Sequence, residues 1–262
     1  MLGKMTALHR VTLRINIRRT HLKPTDRLYI ATTVTRFQQQ HPRNITLNHQ
    51  FTRKMASFSN TDTGNKPSGP YYEKNLDTDI SLKEKVENLI KFVSSCKFGM
   101  MTTRDPTSGK LVSRCMAIAG KEGGDIDLTF TTNTESHKTD ELKADNHTNV
   151  SFYDNSGQWA SIAGEASIET DREVVKKYYS PTLKAWMGDL GDGVHDGSEN
   201  DPRIAVLKVK TSSVTYAVTG KTIVSRAAEI AKGTITGEPA GVNKLREISE
   251  GEIQQWRATA SK

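Results

Sequence analysis

The sequence is short of cysteine and of long hydrophobic runs. Its 262 residues include two cysteines, Cys96 and Cys115, and neither a CxxC motif nor a Cys/His cluster, which argues against a disulfide framework and against a metal site. No run of eighteen apolar residues occurs, and the N-terminus lacks the apolar stretch of a secretory signal, which argues against a membrane span and against secretion. We expect a reducing compartment: the cytoplasm, or the mitochondrion if residues 1–54 are a presequence.

Hydrophobic and aromatic residues are also scarce, at 35% and 6% of the chain. A chain of this length can bury one core of ordinary domain size, but the low hydrophobic fraction indicates that part of it lies outside that core. We therefore expect one folded domain with polar appendages.

Acidic residues are nearly absent from the first 54 positions. These carry eleven lysines and arginines against one acid, Asp26, which leaves 26 bases and 29 acids, a net charge of −3, for residues 55–262. The overall charge of +7 therefore does not indicate a basic folded surface, and nucleic acid is a candidate partner only for the N-terminal arm.

The segment 1–54 has three interpretations: a mitochondrial presequence, a nucleic-acid-binding arm, or sequence translated upstream of Met55. We favour a disordered extension or presequence over an arm. Residues 55–80 contain glycines and prolines between positions 64 and 70 and predict a flexible lead-in.

A helix is predicted to begin after Ser81. Ser81 and Glu84 have the spacing of a capping box. Apolar residues follow at helical spacing, namely Leu82, Val86, Leu89, Ile90 and Val93.

Six short runs of strand-forming composition follow this helix. Turn sequences of hairpin size separate them, notably residues 105–109 and 121–125. The predicted strands are Phe98–Thr103, Leu111–Ala119, Ile126–Thr132, Asn149–Tyr153, Trp159–Ile168 and, with a break, Ile204–Val218. Further helices are predicted for residues 136–144 and 171–179. Alternating βαβ units are missing, so the pattern favours a closed or partly closed antiparallel barrel over a Rossmann fold.

The C-terminal residues 219–262 are polar and rich in glycine. We expect a polar tail that is loosely packed or covers a neighbouring surface, with one short helix around residues 243–248. The barrel domain is assigned to residues 81–218.

Three segments of this domain combine cations and hydroxyls: Ser113-Arg114-Cys115-Met116, Thr131-Thr132-Asn133 and Ser136-His137-Lys138. Arginine, lysine and the amides of a helix N-terminus together make the outline of a phosphate site. A plain structural interpretation is also open, in which Ser136 caps the helix, Lys138 is solvated and Arg114 pairs with a surface carboxylate. Spacing alone favours this second interpretation.

The order of these segments resembles that of a known family. The sequence contains in succession Met100-Met101-Thr102-Thr103-Arg104, Ser113-Arg114-Cys115-Met116, Phe130-Thr131-Thr132-Asn133, Ser136-His137-Lys138, Val150-Ser151-Phe152-Tyr153-Asp154 and Trp159-Ala160-Ser161-Ile162-Ala163-Gly164. Over residues 80–218 this order is similar to the FMN-binding split-barrel proteins related to pyridoxamine 5'-phosphate oxidase. Within them it most resembles the bacterial general stress proteins and their fungal blue-light-inducible relatives.

The resemblance implies a mainly β fold with flanking helices, a six-stranded antiparallel Greek-key split barrel. It also implies a homodimer with FMN at the subunit interface. It places Arg114 and Lys138 on the FMN phosphate, with Ser136 and His137 beside them. Further cofactor contacts are implied for Thr131, Thr132, the strand backbone at Cys115, Met116 and Ala117, and the later residues Trp159 and Ser161.

Two residues near the implied flavin have two interpretations each. The resemblance places Trp186 near the flavin, and packing is the alternative. Cys115 could be a redox thiol, but we interpret it as a small buried residue.

Departures from the oxidase pattern argue against vitamin B6 oxidation. Ala119 stands where the family has a second lysine near the phosphate, His137 replaces an arginine, and the C-terminal cofactor motif is missing. We expect an FMN-dependent oxidoreductase or flavin reductase-like protein that takes electrons from a reduced nicotinamide, with no catalytic residue assigned. The alternatives are a non-catalytic flavin-binding stress or sensor protein and, in third place, a nucleic-acid-binding protein.

Overall fold

The computed structural model describes residues 66–260. The expectations for the basic segment 1–54 and for the first part of the lead-in lie outside these residues. The helices are α1 (Pro70–Asn75), α2 (Leu82–Cys96), α3 (His137–Ala144), α4 (Arg172–Tyr178), α5 (Lys184–Met187), α6 (Ile223–Thr236) and α7 (Glu250–Ala260), and a 3₁₀ turn spans Pro181–Leu183. The strands are β1 (Phe98–Arg104), β2 (Leu111–Glu122), β3 (Asp127–Asn133), β4 (His147–Tyr153), β5 (Trp159–Glu169), β6 (Ile204–Val218) and β7 (Lys244–Ile248). None of the helices in this part of the chain is long and apolar enough to cross a membrane.

Strands β1 to β6 form a closed antiparallel barrel. Hydrogen-bonded neighbours run in the order β3-β2-β1-β4-β5-β6, and pairing of β3 with β6 closes the ring, for example between Phe130 and Leu207. Because β4 returns beside β1, the order β4-β1-β2-β3 is a Greek key. The predicted six-stranded antiparallel Greek-key barrel with flanking helices is confirmed, and β7 adds a seventh strand beside β6.

Alternating side chains fill the barrel interior. Met101, Val150, Ile162 and Leu207 come from four different strands and are at most 1% exposed. They are the inward set of a period-2 pattern, and their neighbours along each strand point outward. The interior is therefore a packed apolar core.

Helix α2 begins where the capping pattern predicts. The backbone amide of Glu84 donates to Oγ of Ser81 at 3.2 Å, which satisfies one of the free amides of the first turn. The helix packs against the barrel core through its buried apolar face, formed by Val86, Leu89, Phe92 and Val93.

The predicted break in the last barrel strand is a bulge. Ala163 of β5 pairs with Ser213, but the next residue, Gly164, pairs with Thr211, so Ser212 is an extra residue in β6. A Cβ atom at Gly164 would lie 2.5 Å from a backbone carbonyl oxygen of β6. Glycine is required opposite the bulge because the two backbones approach so closely.

The predicted helix around residues 243–248 is wrong, because this segment is strand β7. It pairs antiparallel with the second half of β6, and Arg246 lies opposite Tyr216. Arg246 is 4% exposed, and its Nε donates to Oδ2 of Asp77 at 2.9 Å. An arginine at an inward position hides the apolar alternation by which a strand is recognised in sequence.

The C-terminal residues contribute to the core. Ile248 of β7 and Ile253 of α7 are fully buried. Arg257 of α7 donates through Nη2 to Oδ1 of Asp127 on β3 at 2.5 Å. This segment is therefore packed on the barrel: of the two expectations for it, covering a neighbouring surface agrees with the structure and loose packing is wrong.

Helix α1 and the residues after it are tied to the β7 region. The amide of Asp77 donates to the carbonyl oxygen of Leu245 at 2.9 Å. Asn75, which is 4% exposed, donates through Nδ2 to the carbonyl of Ala240 at 3.0 Å and accepts from the amide of Asn243 at 3.0 Å. The folded unit therefore extends on both sides of the predicted domain.

Candidate functional site

Arg114 of β2 forms a two-bond ion pair with Glu141 of α3. Its Nη1 donates to Oε2 and its Nη2 to Oε1 of Glu141, each at 2.7 Å. The hydroxyl of Thr103 on β1 accepts from Arg114 Nη1 at 2.9 Å and donates to Glu141 Oε2 at 2.5 Å. Glu141 is fully buried, and the hydrogen bond from Arg114 holds the pKa of its carboxyl below the ordinary value.

The carboxylate partner of Arg114 is therefore internal, and the sequence analysis missed it. Glu141 lies three residues after Lys138 and four after His137, so all three share one side of α3. This spacing was the available signal, but it does not reveal that Arg114 is the partner.

Lys138 is a buried cation without a carboxylate partner. It is 6% exposed, and its Nζ donates to Oγ1 of Thr132 at 2.6 Å and to Oγ of Ser136 at 3.3 Å. Within residues 66–260 it forms no ion pair. Burial, and then the nearby charge of Arg114, lower its pKa. The interpretation of Lys138 as a solvated residue is wrong.

Ser136 stands at the N-cap position of α3 but does not cap the helix with its side chain. Its Oγ donates to the carbonyl oxygen of Asn133 at 2.8 Å. The same hydroxyl lies 3.2 Å from Oγ1 of Thr139. Ser136 is therefore the N-cap residue, as the capping interpretation expects, but its hydroxyl bonds Asn133 and Lys138 and not the free amides of the first turn.

His137 joins the Arg114–Glu141 pair to the β1–β2 turn. Its Nε2 lies 2.9 Å from Oδ2 of Asp105 and 3.7 Å from Oε1 of Glu141, and its side chain is 62% exposed. The hydrogen bond with Asp105 raises the pKa of His137. Hydrogen bonds from the side chain and amide of Ser108, and then from His137, lower the pKa of Asp105.

Asp105, His137 and Glu141 place three possible metal ligands within 4.8 Å of one another. Both oxygens of Glu141 already accept from Arg114, and a metal ion there would face the guanidinium at close range. We assign this cluster to charge balance around Arg114.

The remaining candidate residues lie mainly on the outer face of the barrel. Cys115 and Ala117 are exposed, whereas Met116 packs against the core from the other face of β2. The interpretation of Cys115 as a small buried residue is wrong. Ser161 of β5 is half-buried and accepts from Nδ2 of Asn149 at 2.8 Å.

Thr131 and Thr132 point to opposite sides of β3, because neighbouring residues of a strand alternate. Thr132 is 6% exposed and meets Lys138, whereas Thr131 is half-buried. Trp186 is 86% exposed, so the alternative of a packing role for it is wrong within the described residues.

Four large apolar side chains lie exposed on the outer face of β1, β4 and β5. Phe98 and Met100 of β1 are 57% and 43% exposed, and Tyr153 and Trp159 are 74% and 36% exposed. Tyr153 of β4 pairs directly with Trp159 of β5, and β1 lies between β2 and β4 in the sheet. We call these four residues the apolar outer face; such a surface is typical of an interaction site.

Comparison with known proteins identifies a family and a close relative for this chain. Residues 84–240 match the family described as pyridoxamine 5'-phosphate oxidase like. The chain is 58% identical over 203 residues to protein bli-3 of Neurospora crassa, covering 77% of this chain and 97% of that protein.

Solved structures with a similar fold include two general stress proteins. General stress protein 26 of Bacillus anthracis is 22% identical over 52% of this chain and 94% of its own, with a TM-score of 0.42. A putative general stress protein 26 of Jannaschia sp. CCS1 is 19% identical over 64% of this chain and 99% of its own, with a TM-score of 0.48. The family match and the identity to bli-3 show that this chain belongs to the pyridoxamine 5'-phosphate oxidase-like family.

Proposed function

We propose that this protein binds FMN and that Lys138 is a principal anchor of its phosphate. The observation that carries the proposal is the burial of the Lys138 ammonium among hydroxyl groups, with no ion pair to any of the residues 66–260. A buried charge is costly unless an opposite charge compensates it. An anionic group beside Lys138 would supply that compensation.

Arg114 suits the same role because Glu141 fixes its guanidinium without using all its donors. A guanidinium has five N–H donors, and three of them serve Thr103 and Glu141. The two that remain could bind phosphate oxygens, and the side chain is 28% exposed. The hydroxyls of Ser136 and Thr132 complete a polar cradle around Lys138. These residues fit a phosphate group.

We propose that the protein is an oxidoreductase that takes electrons from a reduced nicotinamide. Bound FMN would supply hydride acceptance at N5 of the flavin, and the protein would bind, orient and tune it. Membership of an oxidase-like family supports this class.

A non-catalytic flavin-binding stress or sensor protein is the second candidate. One observation favours it: four titratable side chains at the site are paired, Glu141 with Arg114 and Asp105 with His137. No group among them is placed as a free general acid or base.

We further propose a homodimer that buries the apolar outer face. Phe98, Met100, Tyr153 and Trp159 form an exposed set of a kind that soluble monomers seldom leave open. A second copy of the chain could cover this set in a closed two-fold arrangement. The family resemblance, which places FMN at a subunit interface, supports the same arrangement.

The cofactor is tested by the visible absorption spectrum of the purified full-length protein and by the mass of the molecule released on denaturation. We expect a flavin spectrum and the mass of FMN. A colourless protein that also fails to take up added FMN would contradict the proposal. Oxidation of NADH or NADPH faster than with free FMN at the same concentration supports the oxidoreductase, and its absence supports the non-catalytic candidate.

A further inference from the structure

We propose that phosphate binding at this site takes up a proton from solvent, and that His137 receives it. The inference rests on the proposed binding of the FMN phosphate beside Lys138. It adds a property that the binding proposal alone does not contain, namely that cofactor affinity is linked to pH.

Before a phosphate binds, the charged groups of the site balance one another. Arg114 and Lys138 bring two positive charges, and Glu141 and Asp105 bring two negative charges. With His137 neutral, these four groups sum to zero. A dianionic phosphate would therefore leave the site with two uncompensated negative charges at short range.

Proton uptake requires a group at the site that can accept a proton near neutral pH. Arginine is protonated throughout this range, and hydrogen bonds keep the pKa values of Glu141 and Asp105 low. Burial lowers the pKa of Lys138, so Lys138 is the competing acceptor, and the His137 variants described below distinguish the two. A histidine titrates in the physiological range. His137 is the first residue of α3, next to Ser136 and Lys138, so its charge would act on a group bound at Lys138.

The surroundings of His137 favour its charged form. Asp105 of the β1–β2 turn bonds its ring, Glu141 lies 3.7 Å away, and Asp140 adds a further negative charge from the same helix. Arg114 of β2 is neutralised by Glu141.

Two further cations of the same elements, Arg104 and Lys143, are paired with carboxylates. Arg104, which precedes Asp105, pairs with Asp145 at 3.5 Å, and Lys143 of α3 pairs with Asp140 at 3.7 Å. The pKa of His137 is already raised, and an added phosphate would raise it further. Its ring is 62% exposed, so the proton can come directly from solvent.

The sign of the pH dependence follows from linkage. If the complex holds His137 at a higher pKa than the free protein does, FMN affinity is highest below the free pKa and falls as pH rises through the bound one. One proton limits the decrease to about tenfold per pH unit. The site would hold its cofactor more tightly after acidification.

The test is calorimetric titration of full-length, FMN-free protein with FMN at pH 7.5 in buffers of different ionisation enthalpy. The slope of observed enthalpy against buffer enthalpy gives the protons taken up per FMN. We expect uptake of a measurable fraction of one proton by the wild type, and none by His137→Arg or His137→Gln. His137→Arg carries a permanent charge and should bind with little pH dependence, whereas His137→Gln should bind several-fold more weakly.

Two controls isolate His137. His147 is also exposed and also bonded to an aspartate, Asp145 at 2.8 Å, but it lies outside the proposed site, so His147→Gln should keep the wild-type uptake. Riboflavin lacks the phosphate and should cause no uptake. The second ionisation of a phosphate monoester falls near pH 6, so FMN is largely dianionic at pH 7.5 in every titration.

Each contrary outcome has a separate meaning. FMN binding without proton uptake in the wild type would overturn the inference and leave FMN binding intact. Uptake that persists in His137→Arg would assign the proton to Lys138 or to the phosphate and would also overturn it. A wild-type protein that binds no FMN would contradict the proposed function itself.

Discussion

Arg114 and Glu141, which lie on different elements of the fold, are joined by two hydrogen bonds of 2.7 Å each. One partner is fully buried and the other is 28% exposed. Removing one member of such a pair leaves the charge of the other uncompensated. The pair therefore fixes α3 to the barrel and sets the direction in which the guanidinium faces.

Replacing Glu141 by alanine should lower the free energy of unfolding by about 2–3 kcal/mol, allowing for the partial exposure of Arg114. The measurement is urea unfolding of the FMN-free protein at pH 7. Because folding lowers the pKa of Glu141, its contribution to stability is present above the pKa of an unfolded glutamate and is lost as pH falls through the folded value. The difference between wild type and Glu141→Ala should therefore shrink in acid, and a constant difference down to about pH 3 would contradict the ion-pair explanation.

Replacing Lys138 by methionine should weaken FMN binding by roughly 10- to 150-fold, corresponding to about 1.5–3 kcal/mol for a hydrogen bond to a charged group. Riboflavin affinity should change little, because it has no phosphate. Lys143→Met on the same helix is the matched control, since Lys143 is 67% exposed. Equal losses for FMN and riboflavin would show that the variant perturbs the ring site or the fold.

The same variant should leave the FMN-free protein at least as stable as the wild type. Lys138 is 6% exposed and forms no ion pair within the described part of the chain, so burying its ammonium is unfavourable in the absence of an anion. Thermal unfolding without cofactor measures this. A clearly lower melting temperature for Lys138→Met would mean that its bonds to Thr132 and Ser136 serve stability.

Replacing Met100 by glutamate should convert a dimer to a monomer. Met100 is 43% exposed on the apolar outer face, opposite Cys115 of β2 and Ser151 of β4, and a buried carboxylate there would be costly. Light scattering after gel filtration measures the mass. Ile235→Glu on α6 is the control, since Ile235 is 86% exposed and is not on a strand of the barrel. A dimer that resists Met100→Glu would contradict the proposed interface.

Replacing Ile253 by alanine should lower the free energy of unfolding by about 2–4 kcal/mol, the usual cost of emptying a buried aliphatic position. Ile253 is fully buried although it lies in a polar C-terminal segment. Gln254→Ala, at an exposed neighbouring position of α7, should change stability by less than about 0.5 kcal/mol. Urea unfolding distinguishes the two, and equal effects would contradict the packing of α7 on the barrel.

Most of the barrel could be predicted from sequence because its signals are local. Strand alternation and the turn after Asp105 are properties of neighbouring residues, and all six predicted barrel strands are present. β7 was missed because Arg246 occupies an inward position and is compensated by Asp77, which is 169 residues away in the chain. No local pattern contains that partner.

The site was partly predictable for the same reason. The cluster of Ser136, His137 and Lys138 is visible as a short segment, and the structure brings it to Arg114 and Thr132. The orientation of Arg114 depends on Glu141, which lies 27 residues away in the chain. No local sequence pattern shows that these two side chains meet. The exposure of Cys115 likewise follows from which face of β2 is covered.

The ties between α1 and β7 also determine how the fold would respond to a mechanical load. A force applied to the chain at residue 66 loads the contacts of Asn75 and Asp77 before it loads α2, because these two residues come first in the chain. The Asp77 contact is made to β7 itself and the Asn75 contacts to the residues just before it, and β7 is not needed to close the ring. Force on the N-terminal side would therefore separate β7 from β6 first and break the Arg246–Tyr216 contact, while the six-stranded ring stayed intact.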